Sequence, residues 1–239
     1  MIQISEQVFC DPFLQECFME NAYLPNPYLE TPFLIIEDFL STDHCHDIVS
    51  EIQRASCAHK AEVKSMILNS VVTPSVDEEI RRTSIYQLSD ILEEIYQKSF
   101  LMHQSRIEEY FSMPLTTATP LQVLEYQKGD FYIKHSDDSS EIVDKEGTTV
   151  GFTCVAPQRK LTSVLFASSH ISHPNAQDQF DGGELIFNYL YNAKGEQITI
   201  KPKAGDMVVF PSNPYFSHEV KPVLSGYRLT LVQWHNSIV

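Results

Sequence analysis

Two side chains that can bind a metal ion or exchange a proton stand two residues apart in LEYQKGDFYIKHSDDSS, at residues 124–140. They are His135 and Asp137, at the end of a run rich in aromatic and aliphatic residues. In a strand, the side chains of residues i and i+2 leave the same face. An imidazole and a carboxylate that point into the same space form either a hydrogen-bonded pair or two thirds of a metal site.

A second polar group stands in YFSHEVKPVLSGYRLTLVQWH, at residues 215–235, where His218 lies in one short strand and Arg228 begins the next. Pro222 and Ser225-Gly226 between them predict a hairpin turn. A turn centred near residue 223 would place His218 opposite Arg228, about 5 Å apart at Cβ. Alternate residues would continue that face, namely Thr230, Val232 and Trp234.

Together His135, Asp137 and His218 could occupy one face of an octahedral metal ion and leave three positions open. This is the arrangement of non-haem Fe(II) oxygenases. Two open positions can take the keto oxygen and C1 carboxylate of a 2-oxo acid, and the third can admit dioxygen. A buried second carboxylate on that acid would need a partner, and an arginine such as Arg228 offers a planar bidentate donor.

Four motifs in order resemble the Fe(II)- and 2-oxoglutarate-dependent dioxygenases, specifically the prolyl-4-hydroxylase-like group. YQKGDFYIKHSD at 126–137 matches the pattern Y-x-x-G-x-x-Y-x-x-H-x-D. FDGGELIF at 180–187 matches the Gly-Gly-Glu strand entry, and KPKAGDMVVFPS at 201–212 the following strand. The spacing of His218 and Arg228 matches that of the distal iron ligand and the 2-oxoglutarate anchor.

The resemblance implies a mainly β fold with flanking helices, namely a double-stranded β-helix (a cupin-like jelly roll) with an N-terminal helical layer. It implies a catalytic set in which three residues bind Fe(II) and a fourth binds the distal carboxylate of 2-oxoglutarate. The iron ligands are His135, Asp137 and His218, and the anchor is Arg228. It also implies that Tyr126 hydrogen-bonds the same carboxylate and that Thr162 and Trp234 line the cofactor pocket.

The implied reaction hydroxylates an unactivated C–H bond and decarboxylates 2-oxoglutarate oxidatively to succinate and CO2. Its co-substrates are 2-oxoglutarate and O2, and ascorbate is a candidate reductant. The substrate stays open between a peptidyl residue of prolyl type and a free amino acid or natural product. Two polar insertions, at 139–159 and 168–180, are expected to select it. The alternative is a cupin-type metal-binding jelly-roll protein without oxygenase activity, which would need no carboxylate anchor.

The elements that must position these side chains divide into a helical and a β part. Residues 1–31 predict an irregular lead-in, and 32–239 a single dioxygenase domain with a helical part at 32–113 and a jelly-roll core at 114–239. Short β-rich runs separated by turn residues predict the strands of a sandwich, jelly roll or barrel. These runs are LQVLEYQ, DFYIKHSD, KLTSVLFAS, GELIFNYL, QITIKP, DMVVFPS, FSHEV and YRLTLVQW.

The helical part begins with a predicted strand at 32–40. Residues 41–55 then predict a helix, with Ser41 or Thr42 as its N-cap. Its apolar stripe is formed by Cys45, Ile48, Val49 and Ile52. A longer helix is predicted at 86–111. Its apolar face would carry Leu88, Ile91, Leu92, Ile95 and Ile107.

Composition excludes several classes of function. The formal net charge of −15 argues against a nucleic-acid-binding surface. The five cysteines form no C-x-x-C pair, so neither a disulfide framework nor a cysteine-rich zinc site is expected. An apolar stretch of about 18 residues is lacking, as is a signal-peptide pattern, so no membrane association and a cytoplasmic location are predicted. The partners expected are a small-molecule or peptide substrate, and the oligomeric state stays open.

Other polar residues suggest surface roles. His44 and His46 point about 200° apart on a helix, so they cannot share one ion and are interpreted as solvated. His170 and His173 lie in a polar segment where solvation is the first interpretation and substrate contact the second. Asp138 is expected at the surface, with binding of a substrate amine as the alternative.

Overall fold

A computed structural model describes residues 2–3, 8–10, 32–55, 59–60, 79–146 and 148–238. These residues form two α-helices, α1 (Thr42–Arg54) and α2 (Asp90–Phe111), and twenty strands. The strands before α2 are β1 (Ile2–Gln3), β2 (Val8–Cys10), β3 (Leu34–Ile36), β4 (His59–Lys60), β5 (Arg81–Arg82) and β6 (Ser84–Tyr86). Those from β7 to β13 are β7 (Leu115–Ala118), β8 (Gln122–Tyr126), β9 (Phe131–His135), β10 (Ser139–Val143), β11 (Thr149–Cys154), β12 (Arg159–Phe166) and β13 (Ser169–His170). The remaining strands are β14 (Gln179–Gly182), β15 (Leu185–Tyr191), β16 (Gln197–Ile200), β17 (Met207–Pro211), β18 (His218–Val220), β19 (Val223–Gly226) and β20 (Arg228–Ser237).

Two antiparallel sheets contain most of the described strands. The larger follows the order β3-β17-β12-β20-β8-β6-β4, with β7 also paired to β20, and the smaller the order β16-β15-β18-β9-β5. The eight runs predicted as strands correspond to β8, β9, β12, β15, β16, β17, β18 and β20. Within that series β8, β12, β17 and β20 belong to the larger sheet and the other four to the smaller, so the chain passes repeatedly between the sheets.

Alternating residues of the larger sheet face two hydrophobic cores, as the two-residue period of a strand requires. One core contains residues of both sheets. From the larger sheet it takes Leu124, Tyr126, Val164, Phe166, Val208, Phe210 and Val232. The other core joins the opposite face of that sheet to α1 and α2. Its strand residues include Val123, Leu161, Leu165, Met207, Val209, Leu229 and Leu231.

The predicted buried face is correct for α1 and only partly correct for α2. In α1 the Ser41 side chain caps the helix by accepting from the His44 N–H, and the predicted stripe is the buried face. α2 begins later than predicted, because residues up to Tyr86 form β6, which pairs with β8. Its buried face runs through Leu92, Tyr96, Ser99, Phe100, Ile107 and Phe111. Ile91 was wrongly assigned to that face: it is 72% exposed, because it lies about 100° around the helix from Leu92.

The polar segment 139–159 contains more regular structure than the sequence suggested. Its first part forms the β10–β11 hairpin, and β11 pairs with β2 to give a four-stranded sheet. The lead-in predicted to be irregular thus contributes the backbones of β1 and β2, and its other residues lie outside the described ones. The segment 168–180 contains β13 and the start of β14, which pairs with β19.

Two expectations from composition can be compared with the described residues. Neither α1 nor α2 combines the length and apolar character that crossing a membrane requires. Side chains are described for two of the cysteines, Cys45 and Cys154, and neither forms a disulfide.

Candidate metal centre and cofactor pocket

The structure brings His135, Asp137 and His218 together. His135 ends β9, Asp137 follows it directly, and His218 begins the neighbouring antiparallel strand β18, opposite His135. One potential ligand atom from each residue lies within 4.8 Å of the other two. The Asp137 carboxylate oxygens lie 3.9 Å from His135 Nε2 and 3.9 Å from His218 Nε2.

Backbone carbonyls orient both imidazoles. His135 Nδ1 lies 2.9 Å from the Ile133 carbonyl oxygen, and His218 Nδ1 lies 2.9 Å from that of Phe216. A carbonyl can only accept, so each Nδ1 donates, and each Nε2 is left to bind a metal when the ring is neutral. Burial and the adjacent His218 lower the pKa of His135 well below its ordinary value, which favours the neutral ring that metal binding needs.

Hydrogen bonds from β12 hold Asp137 in place. The Thr162 hydroxyl donates to Asp137 Oδ2 at 2.7 Å and lies 2.9 Å from the Ser212 hydroxyl. Arg159 donates from Nη1 to the Asp137 backbone carbonyl at 3.0 Å. Thr162, expected in the cofactor pocket, therefore contacts the carboxylate of a candidate metal ligand. Sequence reasoning missed Arg159 and Ser212, because their contacts arise from strand pairing across long stretches of chain.

The predicted hairpin between His218 and Arg228 is wrong. His218 pairs with His135 and Phe187 in the smaller sheet, whereas Arg228 pairs with Tyr126 in the larger. The intervening turn residues form part of β19, which pairs with β14. The chain thus crosses between sheets instead of reversing within one. The two side chains still meet a common core: the His218 ring contacts Phe187 and Phe210, and the Arg228 guanidinium lies over Phe166 and Phe180.

Arg228 is a buried cation without an ion-pair partner among the described residues. It is 1% exposed, its Nε donates to the Gly183 carbonyl at 2.8 Å, and its guanidinium lies 4.7 Å from the Tyr126 ring centroid. Burial lowers the pKa of Arg228 to about 10, so the side chain stays charged at neutral pH. None of the ion pairs within the described residues includes it. A buried arginine in this state suits a ligand carboxylate.

Trp234 and Asp138, which the sequence analysis also considered, lie in different surroundings. Trp234 pairs with Thr162 across β12 and β20, and its ring lies 4.1 Å from the Arg159 guanidinium. The surface placement expected for Asp138 is wrong, because this side chain is buried and accepts hydrogen bonds from Ser139 and Ser136. Burial raises the pKa of Asp138 to about 7.

Of the two loop histidines, one is partnered and one is exposed. The His170 Nε2 atom lies 3.3 Å from a Glu184 carboxylate oxygen, and its ring contacts Phe180 edge-on. His173 is exposed and has a left-handed backbone with φ of 66°. Neither belongs to the His–Asp–His group among the described residues.

The donor types fit Fe(II) and a dicarboxylic 2-oxo acid. Two imidazoles and one carboxylate form the ligand set of non-haem iron sites, and a buried guanidinium beside a tyrosine fits a distal carboxylate. A model of the 2OG-Fe(II) oxygenase superfamily matches residues 121–236, the segment that holds all of these groups. Through these residues the chain is similar to that superfamily. The resemblance inferred from the motifs is thereby confirmed, and with it the requirement for Fe(II), 2-oxoglutarate and O2 that defines the family.

Similar proteins carry hydroxylase names. Probable prolyl 4-hydroxylase 3 of Arabidopsis thaliana is 26% identical over 220 residues, covering 84% of this chain and 67% of the plant protein. A PKHD-type hydroxylase of Idiomarina loihiensis is 31% identical over 114 residues, covering 48% of this chain and 40% of its own length. The chain therefore spans less than half of that bacterial relative.

Solved structures share the fold. A Pseudomonas putida prolyl-4-hydroxylase superposes with a TM-score of 0.60 at 22% identity, covering 87% of this chain and 95% of that one. A Trichoplax adhaerens prolyl hydroxylase, solved with a hypoxia inducible factor peptide fragment, gives a TM-score of 0.54 at 20% identity and covers 87% of this chain and 86% of its own.

Proposed function

We propose that this chain is an Fe(II)- and 2-oxoglutarate-dependent dioxygenase that hydroxylates an unactivated C–H bond. The observation that carries the proposal is that three candidate metal ligands and one buried arginine face the same hydrophobic core. His135, Asp137 and His218 hold ligand atoms within 4.8 Å of one another. Arg228, against other aromatic residues of the same core, is a buried cation outside every ion pair of the described chain.

Each residue has a proposed role. His135, Asp137 and His218 would hold the iron, Arg228 would bind the distal carboxylate of 2-oxoglutarate, and Tyr126 would contact the same carboxylate. When bound, the metal and the oxo acid supply the oxidising power for C–H hydroxylation, and 2-oxoglutarate leaves as succinate and CO2. The protein fixes the positions of these groups and surrounds them with apolar side chains that exclude water. Those side chains include Phe166, Phe180, Phe187 and Phe210.

The same reasoning extends to the fold. We infer that the eight strands alternating between the two sheets form a double-stranded β-helix within one domain at residues 32–239. Support comes from the sheet orders and from helical residues that share a core with the larger sheet. Thr162 and Trp234 are proposed to border the cofactor pocket, because Thr162 bonds to Asp137 and Trp234 pairs with Thr162.

A peptidyl residue of prolyl type is the first substrate to test, and a free amino acid or natural product is the second. Relatives and structural neighbours named prolyl hydroxylases support this order. A cupin-type protein without oxygenase activity would leave Arg228 buried without an anion to bind.

Anaerobic titration of Fe(II) and 2-oxoglutarate tests the proposal without a known substrate. The visible charge-transfer band of the iron–oxo acid chelate should appear in the wild-type protein. Asp137→Ala should abolish it, because it removes the only carboxylate of the ligand set. Arg228→Ala should raise the 2-oxoglutarate Kd on the order of 100-fold, since it removes a buried charge partner. Arg228→Lys, which keeps the charge but not the fork, should give an intermediate Kd.

Exposed residues of the same types provide controls. Asp47→Ala on α1 and Arg106→Ala on α2 should leave the band and the Kd unchanged. A well-folded, metal-loaded wild-type protein that gave no band would contradict the oxygenase proposal and favour the cupin-type alternative.

A further inference from the structure

Two guanidinium groups lie beside the candidate metal centre. Arg81, in β5, is 8% exposed and lies 4.7 Å from the Tyr132 ring centroid. That ring stacks on His135 with 3.5 Å between centroids. Arg159 lies over Trp234 and donates to the Asp137 backbone carbonyl. Arg81 is thus connected to one candidate metal ligand through Tyr132, and Arg159 contacts another directly.

Both arginines reach the end of β9, where two candidate metal ligands lie two residues apart. The Tyr132 ring connects Arg81 to His135, because it lies against the Arg81 guanidinium and stacks on the His135 ring. Arg159 reaches Asp137 directly, because it donates to the Asp137 backbone carbonyl.

Neither arginine has an anionic partner in the described part of the chain. No ion pair there includes Arg81 or Arg159, and the buried Nε of each has no hydrogen-bond partner. Yet the chain carries 32 acidic against 17 basic residues, so carboxylates are abundant elsewhere. Stacking on Tyr132 and Trp234 covers the flat faces of the two guanidinium groups, but within the described residues it leaves both Nε–H donors without an acceptor.

Buried arginines such as Arg81 are ordinarily paired, because an unpaired buried charge is costly, and the half-buried Arg159 also has a buried Nε. Arg228 shows the same lack of an ion pair, and its proposed role is to bind a carboxylate of the co-substrate. Arg81 and Arg159 lie on the metal-ligand side of the core instead, Arg81 against the Tyr132 ring that stacks on His135 and Arg159 against Asp137. An anion bound between them would therefore be adjacent to the iron site.

We propose that Arg81 and Arg159 bind a carboxylate of the substrate, so that the enzyme selects anionic substrates. Arg81 acts as a specificity-determining residue, and its planar donor fork matches a carboxylate. This inference rests on the proposed function and specifies its substrate class. The carboxylate can belong to an acidic side chain, to a peptide C-terminus or to a free amino acid, and these share one chemistry.

Matched carboxylate and amide compounds test the inference. One arm uses blocked peptides with a central proline and either Glu or Gln at each flanking position. A second uses the same peptides with a free or an amidated C-terminus, and a third uses free amino acids and their amides. Succinate release and a product heavier by one oxygen atom measure turnover. We expect kcat/KM at least about tenfold higher for the carboxylate form in one arm, which identifies the source of the anion.

Variants connect the preference to the arginines. Arg81→Gln should reduce the carboxylate-to-amide ratio to near one, and Arg81→Glu should favour peptides with Lys at the same position. Arg82→Gln is the matched control: Arg82, the neighbour of Arg81 in β5, is exposed and lies over Phe131 instead of Tyr132, so this variant should keep the wild-type ratio. Arg159→Gln provides a second, independent test if Arg81 variants fail to fold.

A binding measurement separates this inference from the proposed function. Trp234 is the single tryptophan and lies against Arg159, so its fluorescence should change when a carboxylate probe binds. Wild-type protein that shows the charge-transfer band but no carboxylate preference in turnover or in Trp234 fluorescence overturns this inference alone. An unchanged preference in both Arg81→Gln and Arg159→Gln does so as well. Absence of the band, with carboxylate-selective binding retained, overturns the proposed function and leaves the anion site standing.

Discussion

At the scale of single residues, Thr162 links the β scaffold to the candidate iron ligand Asp137. Its hydroxyl is buried, donates to Asp137 Oδ2 at 2.7 Å and leaves Oδ1 facing His135 Nε2. Residues that hydrogen-bond a metal ligand fix its rotamer and direct its lone pairs. Thr162 is therefore a positioning residue for the metal site.

Thr162→Val should weaken Fe(II) binding about 10- to 100-fold, because it removes this hydrogen bond while keeping the side-chain shape. Thr162→Ser, which restores a hydroxyl, should recover most of the affinity. Anaerobic Fe(II) titration followed by the charge-transfer band measures both variants. Equal affinity of the Val and Ser variants would show that the Asp137 orientation does not depend on Thr162.

At the scale of elements, the turn between β14 and β15 positions the 2-oxoglutarate anchor on β20. Gly183 has a φ of +60°, its carbonyl accepts from Arg228 Nε, and an added Cβ would lie 2.9 Å from Arg228 Cδ. The same Cβ would lie 2.9 Å from Val223 Cγ2. The glycine therefore allows the backbone to approach a buried arginine closely.

Gly183→Ala should raise the 2-oxoglutarate Kd about tenfold or more, because the methyl group displaces Arg228 or the carbonyl that holds it. Gly195→Ala separates this contact from backbone strain: Gly195 also has a positive φ, +77°, but nothing lies within 4 Å of its added Cβ. The control should lose some stability and keep the wild-type Kd. Similar Kd increases in both variants would attribute the effect to strain alone.

At the scale of the whole molecule, a buried polar chain connects α2 to the larger sheet. His235 of β20 bonds to the Ser163 hydroxyl at 2.8 Å, and that hydroxyl lies 3.4 Å from the Tyr96 hydroxyl. The His235 ring also stacks on Phe100 with 4.4 Å between centroids. Burial lowers the pKa of His235 to about 3, so the folded protein keeps this imidazole neutral over most of the acidic range.

This linkage predicts acid sensitivity of the fold. The unfolded chain protonates His235 near pH 6.5 whereas the folded chain does not, so stability is fully present above pH 6.5 and declines as the pH falls toward 3. Between pH 7.5 and 5 the contribution amounts to about 2 kcal/mol. Urea unfolding of metal-free wild type and His235→Gln should differ in pH dependence by about this amount. His46→Gln, at the exposed start of α1, should follow the wild type, and parallel curves for wild type and His235→Gln would contradict the linkage.

Local patterns were sufficient for the features that depend on nearby residues. The apolar stripe of α1 follows from the helical period, and it is the buried face observed. The eight strand runs follow from alternation and turn residues. In the same way, His135 and Asp137 are brought together by their spacing at the end of one strand. The family motifs then allowed the more distant His218 and Arg228 to be included.

Features that depend on strand pairing could not be predicted from local sequence patterns. The hairpin between His218 and Arg228 was a reasonable local interpretation, but the chain exchanges sheets after β18 and forms β19 instead. Ile91 and Asp138 were misjudged because exposure depends on what packs against a side chain. β10 and β11 were not predicted because they lie in a polar segment, and β11 pairs with β2, more than a hundred residues earlier in the chain.

The sequence by itself determined the ligand types, their spacing, the order of the two helices and the eight predicted strand runs, and the resemblance to the dioxygenases, because each depends on short motifs and local periodicity. Only the tertiary structure decided which groups surround the metal ligands. Thr162 approaches Asp137, and Arg81 approaches Tyr132, because sheets pair segments that are far apart in the chain. No local pattern specifies such pairing, since it results from the packing of two sheets around one core.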